Sequence, residues 1–342
     1  MSSNVIILFG GSSSERLVSV ASAQNVSALL PEARLWFLTR THAVHDVDRA
    51  TLARHEKPFE NEFHPGTPAA FSSLEAALDA PGSQQHTFFL ALHGGAGENG
   101  TLQRLFEARR IPFTGSSAAA SARAFDKAVT KELVGAKGAR LAQAELFVHE
   151  RPSDIQGRLL LLFQLAPRWV LKPVEDGSSV GLIHLTAPEQ TSAAAQQMSY
   201  SGIRYLAEQF IEGRELTVGV VDEPSGPLAL PVSEVRTVPG GAFDYAGKYL
   251  GKGTEELTPA PITDVERQQA QALGLLAHTT IGCRGYSRTD MILTPDGPVF
   301  LEINTLPGLT KASFIPQQLA AAGMDLKAFL AQQLELARTR YG

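Results

Sequence analysis

The sequence predicts an α/β protein that opens with a doubly wound parallel sheet and continues as a mixed α+β body. Three observations carry this. "NVIILFGG" reads as a buried strand running into a glycine turn, and "HTFFLALHGG" repeats the pattern. A helical segment follows each one, "SSSERLVSVASAQNVSALL" and then "GTLQRLFEARR". Past about residue 116 the alternation gives way to hairpins and Ala-rich helices.

The elements follow in order. "IPFTGSS" reads as a third short strand with a turn, completing a parallel unit whose ligands collect at the carboxyl ends of its strands. Glu15 and His93 fall there. "SSAAASARAFDKAVTKELVGAKGA" is helical and "ERPSDIQGR" is a loop. "RWVLKPVEDGSSVGLIHL" reads as two strands joined by a Gly-Ser turn, and "PEQTSAAAQQMSYSG" as a helix and loop. "IRYLAEQFIEGRELTVGVV" returns to strand. One helix, in "DVERQQAQALGLLAHTTIG", interrupts the β-like segments that run to "PVFLEIN", and the carboxyl end is helical. The division expected is 1–115, 116–207 and 208–342.

Bulk properties narrow the function. A chain of 342 residues accommodates two or three domains, and 44% hydrophobic with 19% charged residues supports an ordinary core. The net charge of −5, without a basic block, argues against a nucleic-acid partner. Cys283 is the only cysteine, so no intramolecular disulfide forms and a reducing compartment fits. Within "IGCRGY" it reads as a small buried thiol. The run Val5–Phe9 is too short for a membrane span and has no basic leader, so a cytoplasmic location is expected.

"VFLEINTLPG" poses the sharpest question. Glu302 and Asn304 lie two residues apart and share one strand face, opposite Val299, Leu301 and Ile303. The segment "GYSRTDMILTPDGPVFLEIN" reads as a hairpin turning at "TPDG", which sets Asp290 across from Glu302 within one residue, with Arg288 and Asn304 flanking them. Opposed Cβ atoms lie ~5 Å apart, and like charges there destabilise a sheet. A hard divalent cation, Mg²⁺ or Mn²⁺, would relieve this, because the donors are all oxygen. The alternative is a solvated face on which Arg288 neutralises both acids.

Two further segments are suggestive but open. The loop in "LKPVEDGSSVG" could cradle phosphate with its N–H groups beside Lys172, or could be an ordinary hairpin turn. In "LAEQFIEGRELTVGV", Glu208 and Glu215 bracket Phe210 and Ile211, as a nucleoside site would, or as a plain strand edge would.

Together these segments resemble the D-alanine–D-alanine ligases of the ATP-grasp superfamily. The likeness runs in the family's order from "LFGGSSSERLVS" through "LHGGAGENGTLQ", "FDKAVTK", "VLKPVEDGSSVG", "EQFIEGRELTV", "FDYAGKYL" and "GYSRTDMIL" to "FLEINTLPGLTKASF". The resemblance implies an ATP-grasp fold, ATP and two Mg²⁺ as cofactors, with Mn²⁺ possible, and a homodimer without membrane or nucleic-acid partners. It implies that Lys127, Lys172, Ser179 and Lys248 contact phosphates. Glu208, Phe210 and Ile211 would hold adenine, Glu215 the ribose, and Asp290, Glu302 and Asn304 the metal. Glu15, linked to Ser178 and Tyr249, would hold the ammonium of the first D-alanine, bordered by Val18 and His93. Arg288 and the Gly308 N–H would stabilise the oxyanion, and Ser313 and Phe314 would hold the second substrate's carboxylate.

Departures from the family's usual residues are Asn99, Arg104, Thr289, Ala246, Gly247 and Lys311. The reading is ATP-dependent joining of two D-alanines for peptidoglycan synthesis. Alternatives are a ligase making D-Ala–D-lactate or D-Ala–D-Ser, and a non-catalytic ATP-binding regulator. Tyr249 disfavours the lactate form, and the glycine-rich stretch 239–257 is expected to act as a lid.

Overall fold

The computed structural model describes residues 4–175, 181–237 and 254–341. The amino-terminal sheet holds β1 (Val5–Gly10), β2 (Arg34–Leu38), β3 (Val44–Asp46) and β4 (Thr87–Ala91) in the order β3-β2-β1-β4. β1 is parallel to both β2 and β4, while β3 is an antiparallel edge. All of β1 and β4 is buried, which is why both read as unbroken apolar runs. Helices α1 (Arg16–Leu29), α2 (Arg49–Ala53), α3 (Leu74–Asp79) and α4 (Thr101–Ala108) complete this part, with α1 packed on β1 and β4.

The expected strand in "IPFTGSS" shrinks to a single parallel bridge between Phe113 and Phe88. Pro112 has no N–H to continue a ladder, and Gly115 at φ +88° turns the chain away. β2 and β3, by contrast, lay outside the strands assigned from sequence.

The Ala-rich stretch forms two helices, α5 (Ala118–Phe125) and α6 (Lys127–Gly135). Asp126 between them has an extended backbone, and its carboxylate accepts the Val129 N–H to start α6. Both helices pack on the carboxyl-terminal sheet, placing Ala120, Ala124 and Val134 in one core with Leu216, Met291 and Phe300.

The central sheet is antiparallel, β5 (Ala144–Phe147), β6 (Trp169–Pro173), β7 (Ile183–Leu185) and β8 (Tyr205–Gln209), in the order β5-β8-β6-β7. Helices α7 (Pro152–Leu162) and α8 (Thr191–Ser201) cover it, burying Ile155, Leu159 and Met198 against Trp169 and Tyr205.

The last sheet contains β9 (Arg214–Glu223), β10 (Gly226–Ala229), β11 (Ser233–Thr237), β12 (Thr254–Leu257), β13 (Tyr286–Thr294) and β14 (Gly297–Asn304). Its order is β12-β11-β9-β13-β14, with β10 on β9. Helix α9 (Asp264–Ile281) begins at a capping box between Thr263 and Glu266. Helices α10 (Phe314–Ala321) and α11 (Leu326–Arg338) close the chain. No described helix is long and apolar enough to cross a membrane.

The hairpin forms in the expected register, Asp290 opposite Glu302 and Arg288 opposite Asn304, with Thr294 pairing Gly297 across the turn. The expected strict alternation along β14 does not hold. Met291 pairs with Phe300, so Leu301 is an extra residue in a bulge. Phe300 is fully buried although it has the parity of Glu302. The bulge lets Phe300 join the core while Glu302 and Asn304 keep facing the cleft. Of the stretch 239–257, residues 254–257 are strand β12, paired to β11. Lys248, Tyr249, Ala246 and Gly247 lie outside the described residues, as do Ser178 and Ser179.

Candidate active site

One cleft lies where the amino-terminal sheet meets the carboxyl-terminal sheet. It is lined by Glu15, His93, Lys127, Arg288, Glu302, Asn304, Gly308, Ser313 and Phe314, all named from sequence. Phe59, Glu98, Phe125 and Glu256 also line it and were missed.

His93 anchors the amino-terminal wall. Its Nδ1 lies 2.8 Å from the Leu306 carbonyl, and its Nε2 2.8 Å from Ser22 Oγ. The carbonyl can only accept, so Nδ1 is the donor in that contact, and Nε2 shares a hydrogen bond with the Ser22 hydroxyl. Ser22 Oγ also accepts the Leu309 N–H, and Asn25 Nδ2 donates to the Leu309 carbonyl. Side chains of α1 therefore grip the "NTLPGLT" loop. Glu15 stands just before α1, against Gly94, where an added Cβ would sit 2.6 Å from Glu15 Oε2. Burial pushes the Glu98 carboxyl above its ordinary range; His93 offsets part of this and the charge of Glu15 adds to it.

The opposite wall is β13 and β14. Arg288 donates two hydrogen bonds to Asp290, at 2.8 and 2.7 Å. Thr217 Oγ1 adds a third to Asp290 at 2.6 Å, and Asn304 Nδ2 lies 3.4 Å away. Lys127 Nζ, at the first position of α6, lies 3.7 Å from Glu302 Oε2. The repulsion expected between the opposed acids is thus offset by one cation on each. The donors Asp290, Glu302 and Asn304 remain two carboxylates and a carboxamide on one sheet face, a set that fits a hard divalent ion. Among the described residues no three His, Cys, Asp or Glu side chains converge as a metal centre.

At the mouth of the "NTLPGLT" loop, Ser313 Oγ accepts the Thr310 N–H at 3.1 Å. A Cβ on Gly308 would come within 2.6 Å of Ser313 Oγ, so only glycine brings that backbone so close. Phe314 lies under Arg288, whose guanidinium carbon is 6.0 Å from the ring centre.

A second polar cluster sits on the central sheet. The Glu208 carboxylate is buried between Lys172 Nζ at 2.5 Å and Lys131 Nζ at 2.7 Å. Burial would raise the Glu208 carboxyl, but Lys172 and Lys131 outweigh it and hold the group below its usual range. Burial depresses the Lys131 ammonium to about 8, despite the attraction of Glu208. Lys131 was missed, yet it follows Lys127 by four residues and shares its helix face. Lys172, Glu208, Phe210, Ile211 and Glu215 do not line the cleft; Phe210 is stacked by Arg168, with the guanidinium carbon 3.7 Å from the ring centre. Asp290 borders the cleft only through Arg288 and Asn304. Val18 is buried in α1, away from the lining.

Comparison with known proteins decides the family. Residues 4–116 match the family model for the D-ala D-ala ligase N-terminus, and residues 162–335 match that for the D-ala D-ala ligase C-terminus. The chain belongs to the D-alanine–D-alanine ligase family. It is 36% identical to the D-alanine–D-alanine ligase of Nitratidesulfovibrio vulgaris strain DP4, over 99% of both chains. It is 33% identical to that of Leptospira interrogans, over 98% of both. A solved structure, the VanG D-Ala:D-Ser ligase from Enterococcus faecalis, superposes with a TM-score of 0.80 at 25% identity, covering 98% of this chain and all of that one. Within this ligase family the fold is ATP-grasp.

Proposed function

We propose that this chain is an ADP-forming D-alanine–D-alanine ligase that supplies the dipeptide for peptidoglycan. The observation that carries the reading is the shared cleft. Glu15 and His93 from the amino-terminal sheet face Arg288, Gly308 and Ser313 from the carboxyl-terminal one. That arrangement suits an amino-acid ammonium at one end and a developing oxyanion at the other.

The chemistry has two steps. A carboxylate oxygen of the first D-alanine attacks the γ-phosphorus of ATP; the bond to the bridging oxygen breaks and ADP leaves, giving an acyl phosphate. The second D-alanine, once its ammonium has lost a proton, attacks the acyl carbon through the neutral amine. The tetrahedral intermediate breaks its bond to the phosphate oxygen, expels phosphate and sheds the nitrogen's extra proton to phosphate or solvent, leaving the amide. In our reading Glu15 holds the first ammonium, with Ser178 and Tyr249 as its partners, while His93 and Val18 shape the wall behind it. Arg288 and the Gly308 N–H meet the oxyanion, and Ser313 and Phe314 take the second carboxylate. Lys127, Lys172, Ser179 and Lys248 would neutralise phosphate charge, with Glu208, Phe210, Ile211 and Glu215 around the nucleoside. Asp290, Glu302 and Asn304 would hold divalent metal, which supplies charge neutralisation to the transferring phosphoryl group. Two ions, a homodimer, a cytoplasmic location and units at 1–115, 116–207 and 208–342 complete the proposal.

The deciding experiment is ADP release across D-Ala, L-Ala, D-Ser and D-lactate. Release that requires D-alanine and accompanies dipeptide is expected. Release with D-serine as second substrate at equal efficiency would favour a D-Ala–D-Ser ligase, and nucleotide binding without release would favour the regulator.

A further inference from the structure

Glu256 is a carboxylate in the cleft that the chemistry above leaves unused. It sits on β12, the edge strand of the carboxyl-terminal sheet, opposite Val235. It lines the same cleft as Arg288, Ser313 and Phe314. Among the described residues its only hydrogen-bond partner is the Gln317 amide of α10, at 2.7 Å from Oε2. Gln317 is itself fixed, because its Nε2 also donates to the Ala312 carbonyl at 2.7 Å and its Oε1 accepts from Thr258 Oγ1 at 3.1 Å. That hydroxyl in turn lies 2.6 Å from Ser233 Oγ. Three side chains in series thus aim one acid, with Oε2 anchored and, among the described residues, no hydrogen bond to Oε1. Burial raises the Glu256 carboxyl above its ordinary range, and the Gln317 amide and the charge of Arg288 offset this only in part. A half-buried, under-compensated anion in a substrate cleft stands ready for a cation.

The cations this reaction brings are the two amino-acid ammonium groups and the metal. The first ammonium is assigned to Glu15, which stands just before α1 against Gly94, and the metal donors lie on β13 and β14. What remains is the second amino acid, whose carboxylate is assigned to Ser313 and Phe314, the residues that begin the helix carrying Gln317. We propose that Glu256 binds the amino group of the acceptor amino acid, and so helps this site select an amine over a hydroxyl. The inference rests on the ligase reading. It explains why an acid on an edge strand should be buttressed by an ordered amide. A hydroxy acid offers that carboxylate only a neutral O–H and no positive charge, so Glu256 favours it less than an ammonium.

The test compares the wild-type enzyme with Glu256→Gln, which keeps the side-chain shape and can still accept from Gln317. The two D-alanine constants are resolved from the concentration dependence of phosphate release, and D-lactate is titrated as a competitor at the acceptor site. Loss of a charge-assisted contact should raise the acceptor KM by roughly tenfold or more. The donor and ATP constants should stay within about twofold, and the apparent affinity for D-lactate should fall far less than that for D-alanine. Glu256→Asp, which keeps the charge on a shorter stem, should recover part of the loss. Equal weakening toward D-alanine and D-lactate, or a loss that Asp does not recover, would mean that Glu256 only props the strand, and an unchanged acceptor KM would overturn the proposal outright. Absence of D-alanine-dependent phosphate release from the wild type would instead refute the ligase reading itself.

Discussion

At the scale of single residues, the charge around Asp290 resembles the alternative that the sequence left open, with Arg288 beside the acid, more than bare repulsion. Two opposed acids on a hairpin suggest repulsion, so replacing one should relieve strain. In the structure Asp290 is instead held by Arg288 through two hydrogen bonds and by Thr217 through a third. Asp290→Asn would remove the charge of the carboxylate that accepts two hydrogen bonds from the largely buried Arg288 guanidinium. The substitution should cost about 1–3 kcal/mol, seen as a fall of several degrees in the metal-free melting temperature, together with loss of turnover. A rise in melting temperature would restore the repulsion view. Lys131 makes a different prediction, one of pH. Its folded value near 8 lies below the ordinary 10.5, so the unfolded chain binds more protons between those values. Holding the ammonium costs stability below pH 8, and that cost shrinks as pH rises from about 8 toward 10.5. Relative to Lys131→Met, the wild type should therefore gain stability across that window in denaturant titrations at stepped pH. A constant difference would show that Lys131 titrates normally.

At the scale of elements, what could be read from sequence was what local chemistry determines. The β13–β14 register followed from a turn that "TPDG" defines and from side chains that alternate with period two. The bulge at Leu301 did not, because it is set by the packing of Phe300 against α5, α6 and α9 rather than by β14 itself. The break at Asp126 was hidden in a run of good helix formers, and it has consequences for the site. The Asp126 carboxylate caps α6 through the Val129 N–H and pairs with Arg204 at 2.7 Å, and the next residue is Lys127. Asp126→Ala should cost about 1–2 kcal/mol from the lost cap, with only a small addition from the half-exposed Arg204. The same change should raise the ATP KM severalfold while leaving the D-alanine constants near wild type, because it loosens the turn that carries Lys127. Thermal melts and substrate titrations would measure both. A stable variant with unaltered ATP KM would show that Lys127 is positioned by other contacts. Glu256 and Glu98 had no legible local signal. Glu256 enters the cleft only because β12 pairs with β11, and that pairing joins segments on either side of residues 238–253.

At the scale of the whole molecule, the amino-terminal part reads in sequence as a self-sufficient parallel unit, but its core is not closed by its own residues. The cluster that holds Ile6, Phe9, Phe88 and Phe113 also contains Tyr286 from β13, Leu306 and Leu309 from the cleft loop, Ile315 and Leu319 from α10, and Phe329, Leu330 and Leu334 from α11. α11 packs on β4, and the sequence cannot announce this, since the two segments lie at opposite ends of the chain. Polar contacts run the same way, through His93 to the Leu306 carbonyl and Ser22 and Asn25 to Leu309. Cutting the chain after residue 116 would therefore strip one face of the sheet. The apolar surface of the sheet that those eight side chains cover would be left bare. Each large side chain so exposed forfeits about 1.5–3 kcal/mol of burial, so the loss is on the order of the whole 5–15 kcal/mol by which a domain is ordinarily stable. A fragment of residues 1–116 should fail to fold, giving an amide proton spectrum with little dispersion, whereas adding a separate chain of residues 117–342 should restore dispersion. A fragment that folds cooperatively alone would show that the carboxyl-terminal helices merely lie on a finished core, and the cleft between them would then be a joint between independent bodies rather than a seam within one.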